Sequence, residues 1–279
     1  MNFLKNINKV LHRLSPYDPM KQLFRPLTYE EKQAVEIFDF RDVSNSNPNN
    51  NVMITCEHAS NNLHRYVFPN DQKDFINTHW GYDIGARDMG IELSEKSKIL
   101  SIYANFSRLI IDPNRSLISD TLIRKFVEKE IELEINKEHN LDRDKRIELF
   151  YLPYYKLLNE SLSYIKPKYV ICSHSFTKQY EDTKERNFEV GILYREKGLL
   201  ADMIESTYKR EGVNYKINEP YHPNEGVCHA MDCIRTYKWP EWYTDVVLLE
   251  FRNDYCSDKK WRRKQTDMLA PIIESLKNK

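Results

Sequence analysis

Two histidines and a glutamate occupy equivalent places in three distant parts of the chain. Each closes a short aliphatic run: Val52-Met-Ile-Thr-Cys-Glu-His58, Tyr169-Val-Ile-Cys-Ser-His174 and Val246-Val-Leu-Leu-Glu250. Runs of this length and composition read as buried strands of a parallel sheet. In open α/β sheets, ligands bind just beyond the carboxyl ends of such strands. His58, His174 and Glu250 are therefore expected to converge on one crevice. Histidine plus carboxylate, without a neighbouring cysteine pair, is the ligand set of a catalytic zinc that keeps one position open. A metal-dependent hydrolase is the first expectation.

A third ligand is needed, and two acids are in reach. Glu57 adjoins His58, but neighbours on a strand face opposite ways, so it would serve only from a loop. Asp83 follows His79-Trp-Gly-Tyr and suits an ordinary helix N-cap equally well. His79 and Asp83 share a face if that helix starts early. Glu250 ends an aliphatic strand, where an unpaired carboxylate is costly. A general base acting on a metal-activated water explains that position; an ion pair with Arg252 is the plainer account. Ser107-Arg108-Leu-Ile-Ile leads into Asp112-Pro-Asn-Arg115. A guanidinium beside an amide there is suited to clamping a carboxylate, and an Arg115 paired with a surface acid is the plainer account.

The elements that must position these groups can be read from spacing. Asp83 opens a helical pattern carrying Ile84, Met89 and Leu93, followed by a strand over 98–106 and a second apolar stretch, Leu109–Ile111. The charged segment 120–148 predicts a surface helix. Ile147, Phe150, Tyr151, Tyr154, Leu158, Leu162 and Ile165 predict a helix over 143–166 that feeds the strand at 169–173. A helix over 198–211, a strand over 213–217, a strand over 245–252 and a helix over 258–277 follow. Strands alternating with helices of this length predict an α/β three-layer sandwich. Nearer the N-terminus, residues 1–14 read as a short amphipathic helix and Thr28–Glu31 as a capping box. Val35–Phe40 alternates like an edge strand, and the polar run Ser44–Asn51 is a loop leading into the core. Residues 1–45 are thus expected to be an N-terminal extension packing on a catalytic domain of 46–279.

Composition narrows the function classes. The 279 residues suffice for one large domain or two small ones. Lys+Arg and Asp+Glu both total 42, so no electrostatic argument favours nucleic acid or an anionic membrane. The apolar stretches are far shorter than the roughly 20 residues that span a bilayer. The N-terminus lacks the apolar core of a signal peptide. Five cysteines, an odd number without a Cys-x-x-Cys, suggest reduced structural thiols in a cytoplasm. With 7 glycines and no glycine-rich phosphate loop, nucleotide binding loses its support.

Seven segments in register resemble the N-formylglutamate amidohydrolase family. They are Cys56-Glu-His-Ala-Ser-Asn61, His79-Trp-Gly-Tyr-Asp-Ile-Gly-Ala86, Ser107-Arg-Leu-Ile-Ile-Asp-Pro-Asn-Arg115, Ser173-His-Ser-Phe176, Val190-Gly-Ile-Leu-Tyr194, Asn218-Glu-Pro-Tyr221 and Leu249-Glu-Phe-Arg-Asn-Asp254. The family looks related to zinc carboxypeptidases and aspartoacylases. The resemblance implies a phosphorylase/hydrolase-like sandwich around a mixed, mostly parallel sheet, with one zinc ion held by His58, Asp83 and His174. It also implies Glu250 as base, Asn114 and Arg115 as a carboxylate clamp, and Arg108 as a group polarising the scissile carbonyl or holding a second carboxylate. His229 would contact substrate. The expected partner is a small-molecule N-acyl amino acid. A different amide or peptide substrate, or a non-catalytic carboxylate binder, are the competing functions. The first motif departs from the Pro-His-Ser-Gly of the branch named for formylglutamate, which keeps Glu57 in play as third ligand.

Overall fold

The computed structural model describes residues 29–41, 51–128, 130–180, 184–236 and 244–279. Along the chain run β1 (Val35–Asp39), β2 (Val52–Cys56), β3 (Leu100–Ala104), β4 (Phe126–Val127) and β5 (Ile131–Glu132). They are followed by β6 (Tyr169–Phe176), β7 (Val190–Leu193), β8 (Tyr215–Ile217) and β9 (Asp245–Arg252). Seven of them form one sheet in the order β1-β3-β2-β6-β9-β7-β8, and β4-β5 form a separate hairpin. Pairings β2-β3, β2-β6, β6-β9 and β7-β8 are parallel, whereas β1-β3 and β7-β9 are antiparallel. The sheet is mixed and mostly parallel, as expected.

The central strands are buried on both faces, which is why they read as unbroken aliphatic runs. Val170 and Cys172 join Met53, Val246 and Leu248 in one core; Ile171 joins Val52, Ile54, Val247 and Leu249 in the other. The first core is covered by α1 (Tyr29–Ala34), α3 (Leu152–Ile165) and α5 (His229–Arg235). The second is covered by α2 (Ala86–Ser97), α4 (Leu199–Glu211) and α6 (Lys259–Leu276). The two-residue period then places His174 and Glu250 on the side of the first core. They face each other in register across β6 and β9.

Several expectations are corrected. The segment 120–148 is not one surface helix: it holds the β4-β5 hairpin, two short 3-10 turns and the helical start Arg143–Arg146. Arg146 explains why, because it is fully buried and donates to Ile110 O, Ile135 O and Asn136 Oδ1. It also pairs with Asp142 Oδ1 at 2.8 Å, and a charged side chain satisfied by four oxygens is an interior anchor, not a surface residue. The helical run over 143–165 contains a π segment at Ile147–Tyr151, an insertion that re-aims the tyrosines after it. Leu109–Ile111, read as a second apolar stretch, is buried and lies outside the strands. Strand β7 lies under a motif that was not assigned as a strand, with Gly191 at its centre.

β1 joins the sheet as an edge strand. The proposed helix at 1–14, Thr28 of the capping box and residues 44–50 of the polar loop lie outside the described residues. No described helix is long and apolar enough to cross a membrane. All five cysteines are free, and only Cys233 is not buried.

Candidate metal centre and catalytic cavity

His58 stands two residues past β2, on a turn fixed by the loop ahead of α2, because Asp83 N–H donates to His58 O at 2.9 Å. Asp83 is not the N-cap of the next helix. That cap is Gly85, with φ of +81°, and α2 begins at Ala86. A side chain at Gly85 would also strike Cys256 O at 2.5 Å, so glycine is required on both counts. Starting the helix late frees the Asp83 carboxylate. Serines on β6 hold this turn in place: Ser173 Oγ donates to Ala86 O and Ser175 Oγ to Ile84 O, both at 2.9 Å. The polar residue before His174 therefore serves as an anchor.

The side chains then converge. His58 Nδ1 lies 3.4 Å and His174 Nδ1 2.8 Å from the same oxygen, Asp83 Oδ2. Ser175 N–H also donates to that oxygen, at 3.2 Å. The far nitrogens are taken by other carboxylates: His58 Nε2 meets Asp112 Oδ1 at 2.6 Å, and His174 Nε2 meets Glu57 Oε2 at 2.8 Å. Tyr154 OH on α3 donates to the other Glu57 oxygen at 2.6 Å. All of these acids and both histidines are buried.

This arrangement fits a metal ion. A carboxylate on Nε2 fixes the proton there and leaves the Nδ1 lone pair of each ring facing inward. His58, Asp83 and His174 each offer one ligand atom, mutually within 4.8 Å. Ligands about 2.0–2.2 Å from a zinc ion stand roughly 3.3 Å apart when tetrahedral, close to the separations found here. Glu57, by contrast, sits behind His174 as an orienting group. Burial opposes charge on His174, but Asp83 and Glu57 outweigh it and push its pKa up to about 10. Burial likewise opposes ionisation of Asp83, and His58 and His174 hold its pKa below the usual carboxylate range.

Arg108 bridges two acids, donating to Asp83 Oδ1 at 3.0 Å and approaching Asp112 Oδ2 at 3.3 Å. Asp112 was quoted within a sequence motif but given no role, yet it is a hub. Besides His58 it accepts Asn114 N–H at 2.8 Å, and Arg115 stands 3.8 Å from its other oxygen. Arg115 also donates to Thr121 Oγ1 and to backbone oxygens of Asn114 and Val227. Asn114 Oδ1 accepts from Ala230 N at 3.0 Å.

Glu250 is the exception in this satisfied network. It is 5 % exposed, and its Oε2 is buried without a partner among the described residues. Arg252 does not neutralise it, being paired with Asp254 at 2.8 Å. Burial, with Asp83 adding to it against His174, Arg108 and Arg186, pushes the Glu250 carboxyl up to about 7. Beside it, Gly191 lets Glu219 O approach to a point where a Cβ would lie 2.1 Å away.

One cavity joins these groups: His58, Asp83, His174, Arg108, Asn114, Arg115 and Glu250 all line it. His229 is not brought there. It contacts Cys233 Sγ at 3.4 Å and the Tyr155 ring at 5.7 Å. Sequence reasoning missed Arg124, Tyr180 and Tyr221 as wall residues; they lie on loops without a local pattern.

Residues 50–256 match the family model of N-formylglutamate amidohydrolase. Among solved structures, the gene product Atu2144 from Agrobacterium tumefaciens is 25% identical, with a TM-score of 0.72 over 90% of this chain and 98% of that one. N-formylglutamate amidohydrolase from Ralstonia eutropha JMP134 shares the fold at 16% identity, with a TM-score of 0.63 over 88% of this chain and 99% of that one. No curated protein matches.

Proposed function

This chain belongs to the N-formylglutamate amidohydrolase family, whose members hydrolyse amide bonds, and on that premise we propose a zinc-dependent hydrolase of N-acyl amino acids. One observation carries the reading. The cluster of His58, Asp83 and His174 shares a cavity with a buried carboxylate, Glu250, whose Oε2 has no hydrogen-bond partner among the described residues. In this reading His58, Asp83 and His174 hold one zinc ion. When bound, that ion supplies Lewis acidity, lowering the pKa of a coordinated water to about 7.

Glu250 performs the proton transfers. Burial raises the affinity of its carboxyl for a proton, which suits it both to accept and to donate one. It takes a proton from the attacking water and returns it to the leaving nitrogen, so the products are a carboxylic acid and an amine. Arg108 spends two N–H groups on Asp83 and Asp112 and has others to stabilise the carbonyl oxygen as it gains charge. Arg115 and Asn114 hold the substrate α-carboxylate. Asp112 and Glu57 position His58 and His174. Buried free thiols support a reducing, cytoplasmic setting.

Metal content of protein purified without chelator, followed by a panel of N-acyl amino acids, tests the reading. About one equivalent of zinc and turnover that disappears on chelation and returns with zinc are expected. Zinc-loaded protein that hydrolyses no N-acyl amino acid would overturn it.

A further inference from the structure

Arg115 and Asn114 are held in place by a stretch far along the chain. Arg115 Nη1 donates to Val227 O at 3.4 Å, and Asn114 Oδ1 accepts from Ala230 N at 3.0 Å. Val227 and Ala230 belong to the segment 218–235, which follows β8 and carries a 3-10 turn at Pro223–Glu225 and then α5. A helix of 7 residues is too short to hold its own shape in water, so the segment takes its position from what it is tied to. Met231 and Ile234 pack it on the first core. Apolar packing is non-directional. A directional tie is needed to fix where Val227 and Ala230 present their backbone groups.

The exit of β7 supplies that tie. Tyr194 N–H donates to Asn218 Oδ1 and Asn218 N–H to Ile192 O, both at 3.0 Å, which anchors the start of the segment. The next residue, Arg195, anchors the rest. Its Nε donates to Asp232 Oδ1 at 2.8 Å and its Nη2 to Asp232 Oδ2 at 2.6 Å, while Nη1 donates to Asn224 Oδ1. Two parallel N–H···O bonds fix direction as well as distance. Asp232 lies two residues past Ala230, and its N–H donates to Cys228 O at 3.1 Å. The guanidinium and the clamp are thus joined through a single helical turn. Arg195 is not among the residues that line the cavity. Side-chain exposures of 23% for Arg195 and 36% for Asp232 mean that the pair adds little to stability. What it contributes is position.

We propose that Arg195, acting through Asp232, is a positioning residue for the carboxylate clamp. It holds the start of α5 where Val227 O and Ala230 N–H keep Arg115 and Asn114 aimed at the substrate α-carboxylate. This rests on the proposed hydrolysis of N-acyl amino acids. It adds that reading the α-carboxylate depends on a residue that does not touch it.

Zinc-loaded wild type, Arg195→Ala, Asp232→Ala, the double variant and Arg195→Lys are compared on N-formyl-L-glutamate and on its α-carboxamide. The two compounds differ only in the group that the clamp would hold, and wild type should prefer the free carboxylate. Arg195→Ala should reduce that preference by about 10-fold, as slight misplacement of a binding group does, with the loss in KM and not in kcat. Asp232→Ala should match it, and the double variant should be no worse, because the two side chains act as one unit. Arg195→Lys keeps part of the pairing and should fall in between. Binding of L-glutamate against its α-carboxamide is followed in parallel by calorimetry and needs no turnover. A preference that survives in Arg195→Ala, an equal loss on both compounds, losses that add in the double variant, or no preference in wild type in either assay overturns the positioning role. An Arg195-dependent preference in binding, without hydrolysis of any N-acyl amino acid in the panel, supports that role and overturns the proposed reaction instead.

Discussion

His174 and Glu250 stand opposite each other on adjacent parallel strands, and their electrostatic situations are reversed. His174 has carboxylates on both ring nitrogens; Glu250 Oε2 has no partner. One side chain is locked in orientation and the other is left with an unused acceptor. That contrast is what a fixed ligand beside a proton-transferring base requires.

Glu250→Gln should keep zinc while turnover falls by roughly 10²–10⁴, the usual contribution of a general base. In wild type the acidic limb of kcat/KM should report the ionisation of Glu250, and in the variant that limb should disappear. Loss of zinc in Glu250→Gln would make Glu250 a ligand. The same group predicts a stability trend without metal. Its folded pKa is raised, so the folded chain retains a proton between about 4.5 and 7 that the unfolded chain has released. Stability from this group is complete below that window and declines as pH rises through it. The difference in Tm between Glu250→Gln and wild type, measured in chelator, should grow from pH 5 to pH 8.

His58→Ala and His174→Ala should each remove zinc yet leave a folded chain, because the ligands are attached to a sheet with two independent cores. Zinc analysis with circular dichroism reads both properties, and full zinc occupancy in either variant would refute the ligand set. Asp83→Ala should behave like the histidine variants. Glu57→Gln keeps an acceptor for His174 and should lose less.

Tyr154→Phe removes the donor to Glu57 Oε1 from 97 residues away in sequence. It should weaken zinc affinity by about 10–100-fold, as loss of an outer-shell partner does, with substrate KM nearly unchanged. Competition with a chromophoric chelator measures this; unchanged zinc affinity would assign Tyr154 to packing alone.

Arg115→Lys keeps the charge but not the planar fork. For substrates with a free α-carboxylate, kcat/KM should drop by about 10–100-fold. An equal drop on the carboxamide analogue would show that Arg115 reads no carboxylate.

Gly191→Ala places a methyl against Glu219 O, so the backbone at Glu219 must move. Overpacking of this kind costs about 1–3 kcal/mol, visible as a lower denaturation midpoint. Because Tyr221 lines the cavity, KM should rise as well. A variant with wild-type stability would show that this backbone yields easily.

The strands that carry His58, His174 and Glu250 were legible because burial on both faces writes itself as aliphatic runs, and β9 has the bounds expected for it. Asp112 and Tyr154 were not legible as site-building residues. Their partners are 54 and 97 positions away, and no local period records such a contact. Charge misled at 120–148, where Arg146 is interior. It also misled at Asp83, where a good capping residue lies three positions before the helix it seemed to start. His229 was placed by its position soon after a motif; Val227 and Ala230 on either side of it meet Arg115 and Asn114, while its own ring packs on Cys233 and Tyr155.

The register of β6 against β9 sets the distance from His174 to Glu250 by the spacing of the hydrogen-bond ladder, about 4.8 Å between strands. The intervening chain, with β7, α4, β8 and α5, has no part in that distance. Loops in this stretch can lengthen, shorten or change sequence without altering how base and ligand meet. A single inserted residue within β6 or β9, however, would turn one of the two to the opposite face. On the proposed reading the chemistry is thus insulated from loop variation, which leaves the cavity rim free to diverge in substrate choice while the chemistry stays fixed.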